Sequence, residues 1–213
     1  MNSNVAVLEA PIAASISPHR MTYEEFLAWA DEDTRAEWVN GEIVFMGQVS
    51  KLHQIVGGFL FAIIKLFVEA HQLGLVFYES FSMKTGDDLP GRLPDIMFVA
   101  NESLPRVGNQ GLTGPADLVV EIISPESRSR DRGEKFYEYE QGGVREYWLL
   151  DPLRKRAEFY QLGDDGFYRL VAQDNDGSYH SAVLPGLWIN VDWLWQEPMP
   201  AVFDVLRQWK LIG

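Results

Sequence analysis

Between Asp117 and Leu150 the chain runs through an apolar stretch, a helical stretch and a second apolar stretch, an order that leaves few folds open. DLVVEII is short, continuous in its hydrophobicity and rich in β-branched residues, as buried central strands are. Arg130 to Gln141 reads as a helix stopped by Gly142 and Gly143, and Arg145 to Leu150 returns as a strand. A strand, a helix and a strand in one sheet make a right-handed crossover between parallel strands. That crossover carries Lys135 back across the sheet, toward the end of the strand that holds Glu121.

The rest of the chain supplies elements to flank such a pair. Thr22 and Glu25 form a capping box for a helix to about Ala30, with Phe26, Leu27 and Ala30 on its buried side. Asn40-Gly41 marks a hairpin within Ala36 to Phe45. Ser50 caps a helix to about Leu73, whose apolar residues fall on two sides, so it is expected either in the core or in a homodimer interface. Gly57 and Gly58 inside it predict the close passage of another backbone. Leu75 to Lys84 and Leu93 to Ala100 are further strand candidates, and the turn signals Asp151-Pro152, Asp165-Gly166 and Asp176-Gly177 predict a C-terminal meander. The expected fold class is α/β (α+β): a mixed central sheet flanked by helices, with additional C-terminal antiparallel hairpins. Residues 1–18 read as a mobile leader and 19–213 as one domain.

Two acids interrupt the apolar runs. Asp95 precedes IMFV and Glu121 sits inside LVVEII, and an unpaired carboxylate buried in such a place costs several kcal/mol or protonates. A hard divalent cation is one partner that keeps both ionised, and an ammonium such as that of Lys135 steadies charge building on a phosphate. The alternative is that each acid lies at a strand end, capped by an arginine or by backbone N–H groups.

The residues Pro94-Asp95, Glu121-Ile122-Ile123-Ser124-Pro125, Asp131, Lys135, Tyr139, Gly143 to Trp148 and Asp151-Pro152, in that order, resemble the Uma family of restriction endonucleases, within the PD-(D/E)XK nuclease superfamily. The resemblance runs from about Met21 to about Leu187. It implies a restriction-endonuclease-like core, a site of Asp95, Glu121, Lys135, Glu37 and His53, and magnesium or manganese held by Asp95 and Glu121. It also implies DNA as substrate and, for double-strand cutting, a homodimer. The superfamily's Glu-x-Lys is broken here, because Ile123 stands where the lysine belongs. Lys135 on the following helix takes that place, with Asp131 one turn earlier to orient it.

Charge argues against a polyanionic substrate, since 31 acidic and 18 basic residues leave a net charge of −13. Arg128, Arg130 and Arg132, with Arg154, Lys155 and Arg156, offer a local basic rim for DNA, unless they pair with neighbouring acids. A metal-dependent endonuclease is the leading reading. A non-catalytic nuclease-fold binding module, or a metal-dependent hydrolase of another phosphate ester, are the alternatives. Absence of cysteine excludes a disulfide framework, a thiolate zinc site and a cysteine protease, and fits a cytoplasmic setting. Lys65 and Glu69 break the longest apolar stretch, which therefore reads as a soluble helix rather than a membrane span. No glycine-flanked nucleophile elbow surrounds Ser124 or Ser127.

Overall fold

The computed structural model describes residues 20–31, 33–125 and 127–213, and the expected leader lies outside them. Helix α1 (Tyr23–Trp29) starts on the capping box, with Glu25 N–H donating to the Thr22 hydroxyl at 3.2 Å and Thr22 N–H donating to the Glu25 carboxylate at 2.8 Å. Strands β1 (Ala36–Val39) and β2 (Glu42–Phe45) form the hairpin, whose turn residues Asn40 and Gly41 both take positive φ, 52° and 89°. Helix α2 (Lys51–His71) is capped by the Ser50 side chain. There follow β3 (Gly74–Tyr78), β4 (Ser82–Lys84), β5 (Gly91–Arg92), β6 (Ile96–Ala100), β7 (Gly111–Thr113) and β8 (Leu118–Ile122). A π-helical turn, Arg130–Glu134, leads into α3 (Lys135–Gly142). Then come β9 (Glu146–Asp151), β10 (Arg156–Leu162), β11 (Tyr168–Val171), β12 (Ser178–His180), β13 (Trp188–Asn190) and α4 (Val202–Gln208).

The six-stranded main sheet runs β11-β10-β9-β8-β6-β3 and is mixed. Its parallel pair is β8 with β9, the pair joined through α3, and the other neighbours are antiparallel. A second sheet, β2-β1-β5-β4-β7, was not foreseen as separate. The expected strand Leu75 to Lys84 is in fact two strands in different sheets. Glu79 and Ser80 take positive φ, 46° and 49°, and turn the chain out of the main sheet. Neither is glycine, so the sequence carries no punctuation there. The expected strand Leu93 to Ala100 likewise starts only at Ile96, because Pro94 has no N–H for a ladder.

Strand alternation sorts the core into two layers. Ile96, Phe98, Leu118, Val120, Ile122, Trp148 and Leu150 meet α2 through Val56, Leu60, Ile63, Ile64 and Phe67. Met97, Val99, Val119, Ile123, Tyr147 and Leu149 face α3 and the second sheet, through Tyr139, Met83 and Leu112. By length and hydropathy α2 could cross a membrane, but here it is a core helix, covered on its flank by Leu184, Leu187, Trp193, Leu194 and Val205. That cover includes α4, which the hairpin reading omitted. Leu52, Ile55 and Leu66 stay exposed. The C-terminal segment is fastened by the fully buried Glu146, which accepts from Trp148 Nε1, the Tyr179 hydroxyl, the Ser181 hydroxyl and the N–H groups of Ala182 and Val183 at 2.6–3.0 Å.

The two glycines of α2 have different reasons to exist, and neither meets another backbone. A Cβ on Gly57 would press on the Tyr78 hydroxyl at 3.1 Å and Ile122 Cδ1 at 3.2 Å, whereas one on Gly58 would meet nothing within 4 Å. Gly58→Ala is therefore expected to raise stability by about 0.5–1 kcal/mol through helix propensity. Gly57→Ala should gain less or lose stability. Thermal melts of the pair check this, and equal gains would contradict the packing described.

Candidate active site

Neighbouring strands bring the two acids together. In the antiparallel pairing of β6 with β8, Ile96 lies opposite Val120, so the next step along the ladder sets Asp95 against Glu121. Glu121 alternates with Val120 and Ile122 and so points away from α2, to the side of Val119 and Ile123. Asp95 Oδ2 accepts from Ile122 N–H at 2.6 Å and lies 3.1 Å from His53 Nε2, in the first turn of α2. A cavity of about 260 Å³ opens there, lined by Asp95, Glu121, His53, Lys135, Asp131, Arg130, Ser124 and Ser127, among others.

Lys135 reaches the cavity from the start of α3. Its Nζ stands 2.8 Å from Glu121 Oε1, 3.2 Å from Glu37 Oε1 and 3.6 Å from Asp131 Oδ1, and the side chain is buried. The Tyr139 hydroxyl, one turn further along, donates to the same Glu121 Oε1 at 2.7 Å. Two donors thus share one carboxylate oxygen and leave Oε2 to the cavity side.

Asp95, Glu121 and Asp131 share this cavity with Lys135, Arg130 and Arg35, and the three acids lie close enough together to oppose one another's ionisation. Burial, with the carboxylates of Asp131 and Asp95 adding to it against the pull of Lys135, pushes Glu121 up to about 8. Burial raises Asp131 as well, and its Oδ1 has no hydrogen-bond partner among the described residues. Burial opposes the charge on Lys135, but Glu121, Glu37 and Asp131 outweigh it and hold the ammonium charged. For His53, burial is overcome by the hydrogen bond and charge of Asp95, which raise its pKa.

An added hard cation would favour the ionised form of acids crowded in this way. Among the described residues no three acid or imidazole groups converge as a ready metal cage. Asp95 and Glu121 fit the smaller demand of a magnesium-type ion, which takes one or two carboxylates and keeps several waters.

The other expected residues fall in different places. Glu37, fully buried on β1, does not line the cavity. It stands behind Lys135, where it pairs with Lys135 and Arg92. The expected rim is largely tied down. Arg128 pairs with Asp151 at 3.0 Å and Arg132 with Glu158, while Arg154 and Arg156 pair with the same two acids. Arg130, of those three, lines the cavity. Arg92 was missed altogether. It is 2% exposed, donates to Glu37 Oε2 at 2.9 Å and grips both oxygens of Glu138 at 2.7 Å. A lone arginine in a loop-like GRLPD carries no periodic signal that could have singled it out.

The mixed sheet with flanking helices, and acids at the edge of its central pair, define a protein of the restriction-endonuclease-like class. The family model Uma2, described as "Putative restriction endonuclease", matches residues 23–192, and the chain belongs to that nuclease family. A crystal structure from Anabaena variabilis, described as "a putative nuclease belonging to DUF820", superposes with a TM-score of 0.66 at 19% identity, covering 82% of this chain and 97% of that one. The uncharacterized protein slr1290 of Synechocystis sp. is 26% identical over 154 residues, 71% of this chain and 80% of its own length.

Burial works against ionising Glu37, but Lys135, Arg92 and Arg130 prevail and lower it from 4.5 to about 2. A carboxyl held below its unfolded value adds stability that is complete above pH 4.5 and is lost as pH falls through about 2. The loss is on the order of 3 kcal/mol for this buried group. Acid denaturation of wild type should therefore be steeper across that window than that of Glu37→Gln, as followed by circular dichroism. Parallel curves would show that the ion pair does not set the acid limb.

Proposed function

We propose that the protein is a magnesium- or manganese-dependent endodeoxyribonuclease. The observation that carries this reading is one cavity in which Asp95, Glu121 and Lys135 converge, with Glu121 crowded by the carboxylates of Asp95 and Asp131. Asp95 and Glu121 would hold the ion, together with a backbone carbonyl beside Glu121. The ion, when bound, supplies Lewis acidity toward the phosphodiester and acidifies a water. Lys135 orients the attacking water and offsets negative charge that builds on the phosphorane-like transition state. Its three carboxylate neighbours keep it protonated for that task. His53 fixes Asp95 by holding Oδ2, which leaves Oδ1 for the metal. Arg130, which lines the cavity, would meet a phosphate, with the mutually hydrogen-bonded hydroxyls of Ser124 and Ser127 lining the same cavity.

A second reading is favoured by the net charge of −13 and by the paired state of Arg128 and Arg132. An acidic surface with Arg35, Arg130 and Lys135 gathered at the cavity accepts a small phosphodiester more readily than a long polyanion. Both readings use the same metal and the same lysine.

Purified protein with Mn²⁺ separates them, using calorimetry for the metal and plasmid DNA alongside a chromogenic phosphodiester for turnover. Asp95→Ala and Glu121→Ala should each abolish Mn²⁺ binding and cleavage. Lys135→Met should keep the metal and lose about 100-fold or more in rate. Cleavage of the small ester alone would select the second reading. Folded wild type that binds no Mn²⁺ would sink both.

A further inference from the structure

We propose that Arg92 is a positioning residue for the reaction: acting through Glu37, it sets the Lys135 ammonium against Glu121. This inference rests on the nuclease reading of the site. The second sheet is what makes the arrangement possible. It carries Glu37 on β1 and Arg92 on the neighbouring β5, with Trp38 paired to Gly91, behind the start of α3.

Every polar atom of Glu37 is assigned. Oε2 accepts from Arg92 at 2.9 Å and faces Arg130 Nε at 3.9 Å, while Oε1 accepts from Leu93 N–H at 3.3 Å and faces Lys135 Nζ at 3.2 Å. Arg92 also binds Glu138 through two nitrogens at 2.7 Å and reaches Glu134 at 3.3 Å. Glu134 and Glu138 flank Lys135 on the same helical segment. One guanidinium thus grips α3 on both sides of the lysine and, at the same time, the acid that stands behind it.

A stapling role would need only the two-pronged grip on Glu138. The additional bond to Glu37 is what ties the cluster to the site, because Glu37 and Glu121 compete for one ammonium, at 3.2 and 2.8 Å. With Arg92 present, half of the Glu37 carboxylate is engaged elsewhere and Glu121 has the shorter contact. Without it, a fully buried carboxylate left with Lys135 at 3.2 Å and Arg130 at 3.9 Å draws Lys135 backward, out of the cavity. Displacement of a catalytic cation by about 1 Å is enough to lower turnover about 100-fold.

The test is a cycle of Arg92→Met, Glu37→Gln and the double variant. Readouts are kcat and KM for cleavage, Mn²⁺ binding, and the ¹⁵Nζ resonance of Lys135 in metal-free protein. Arg92→Met should lower kcat by about 30-fold or more with KM and Mn²⁺ affinity changed by less than about twofold. The Lys135 resonance should shift. The double variant, with neither the buried acid nor its arginine, should recover part of the loss and return the resonance toward its original position. Additive losses, or an unmoved Lys135 signal in Arg92→Met, would overturn the proposal. If Arg92→Met does not fold, Arg92→Lys and Glu138→Gln carry the same readouts, with a smaller fall in kcat and a shifted resonance expected and an unchanged pair overturning it. If wild type cleaves nothing, the nuclease reading fails by itself, and the resonance shift and its reversal still decide whether Arg92 places Lys135.

Discussion

A single buried ammonium, shared by carboxylates from three different elements, organises this molecule. Lys135 comes from the start of α3, Glu121 from β8, Glu37 from β1 and Asp131 from the π-helical turn just before α3. An isolated charge at that depth would be prohibitively unfavourable, and so would any one of the acids. Each therefore depends on the others, and the main sheet, the second sheet and α3 must be assembled together for any of them to be tolerated.

The two sheets divide the labour. The main sheet sets Asp95 beside Glu121 through the register of β6 on β8, backed by apolar packing on α2 and α3 and by the bond from Ile122 N–H to Asp95 Oδ2. The second sheet contributes no residue of the acid pair. Its β1 and β5 bring Glu37 and Arg92 behind the lysine, and the Arg92 grip on Glu138 joins that sheet to α3. Elsewhere the same logic is used for structure alone. Glu146, equally buried, meets five neutral donors instead of a cation and fastens the C-terminal segment over α2.

Crowding of carboxylates against one another at the cavity is the feature that separates a candidate active site from these structural acids. Around Glu146 every donor points inward and the group is satisfied. Around Glu121 the neighbours include Asp95 and Asp131, and an Asp131 oxygen lacks a hydrogen-bond partner among the described residues. The net charge of −13 disfavours a polyanionic substrate, and the arginines near the site mostly answer local acids. Arg130 is the one of that trio that reaches the cavity.

Sequence alone determined the elements whose signals are local: the capping box of α1, the Asn40-Gly41 hairpin, the reach of α2, and the parallel crossover that returns Lys135 toward Glu121. Those depend on hydrogen bonds and apolar periodicity within a few residues. It also singled out Asp95 and Glu121, because an acid inside an apolar run is anomalous wherever the run ends up. Tertiary structure decided what local signals cannot encode. The break at Glu79 and Ser80 sends one predicted strand into two sheets with no glycine to mark it. Glu37 lies behind the lysine and not at the cavity, Arg92 joins it from a two-residue strand, and Arg128 and Arg132 turn toward Asp151 and Glu158. Pairing among charges is set by which elements meet in space, and distances along the chain carry no record of that.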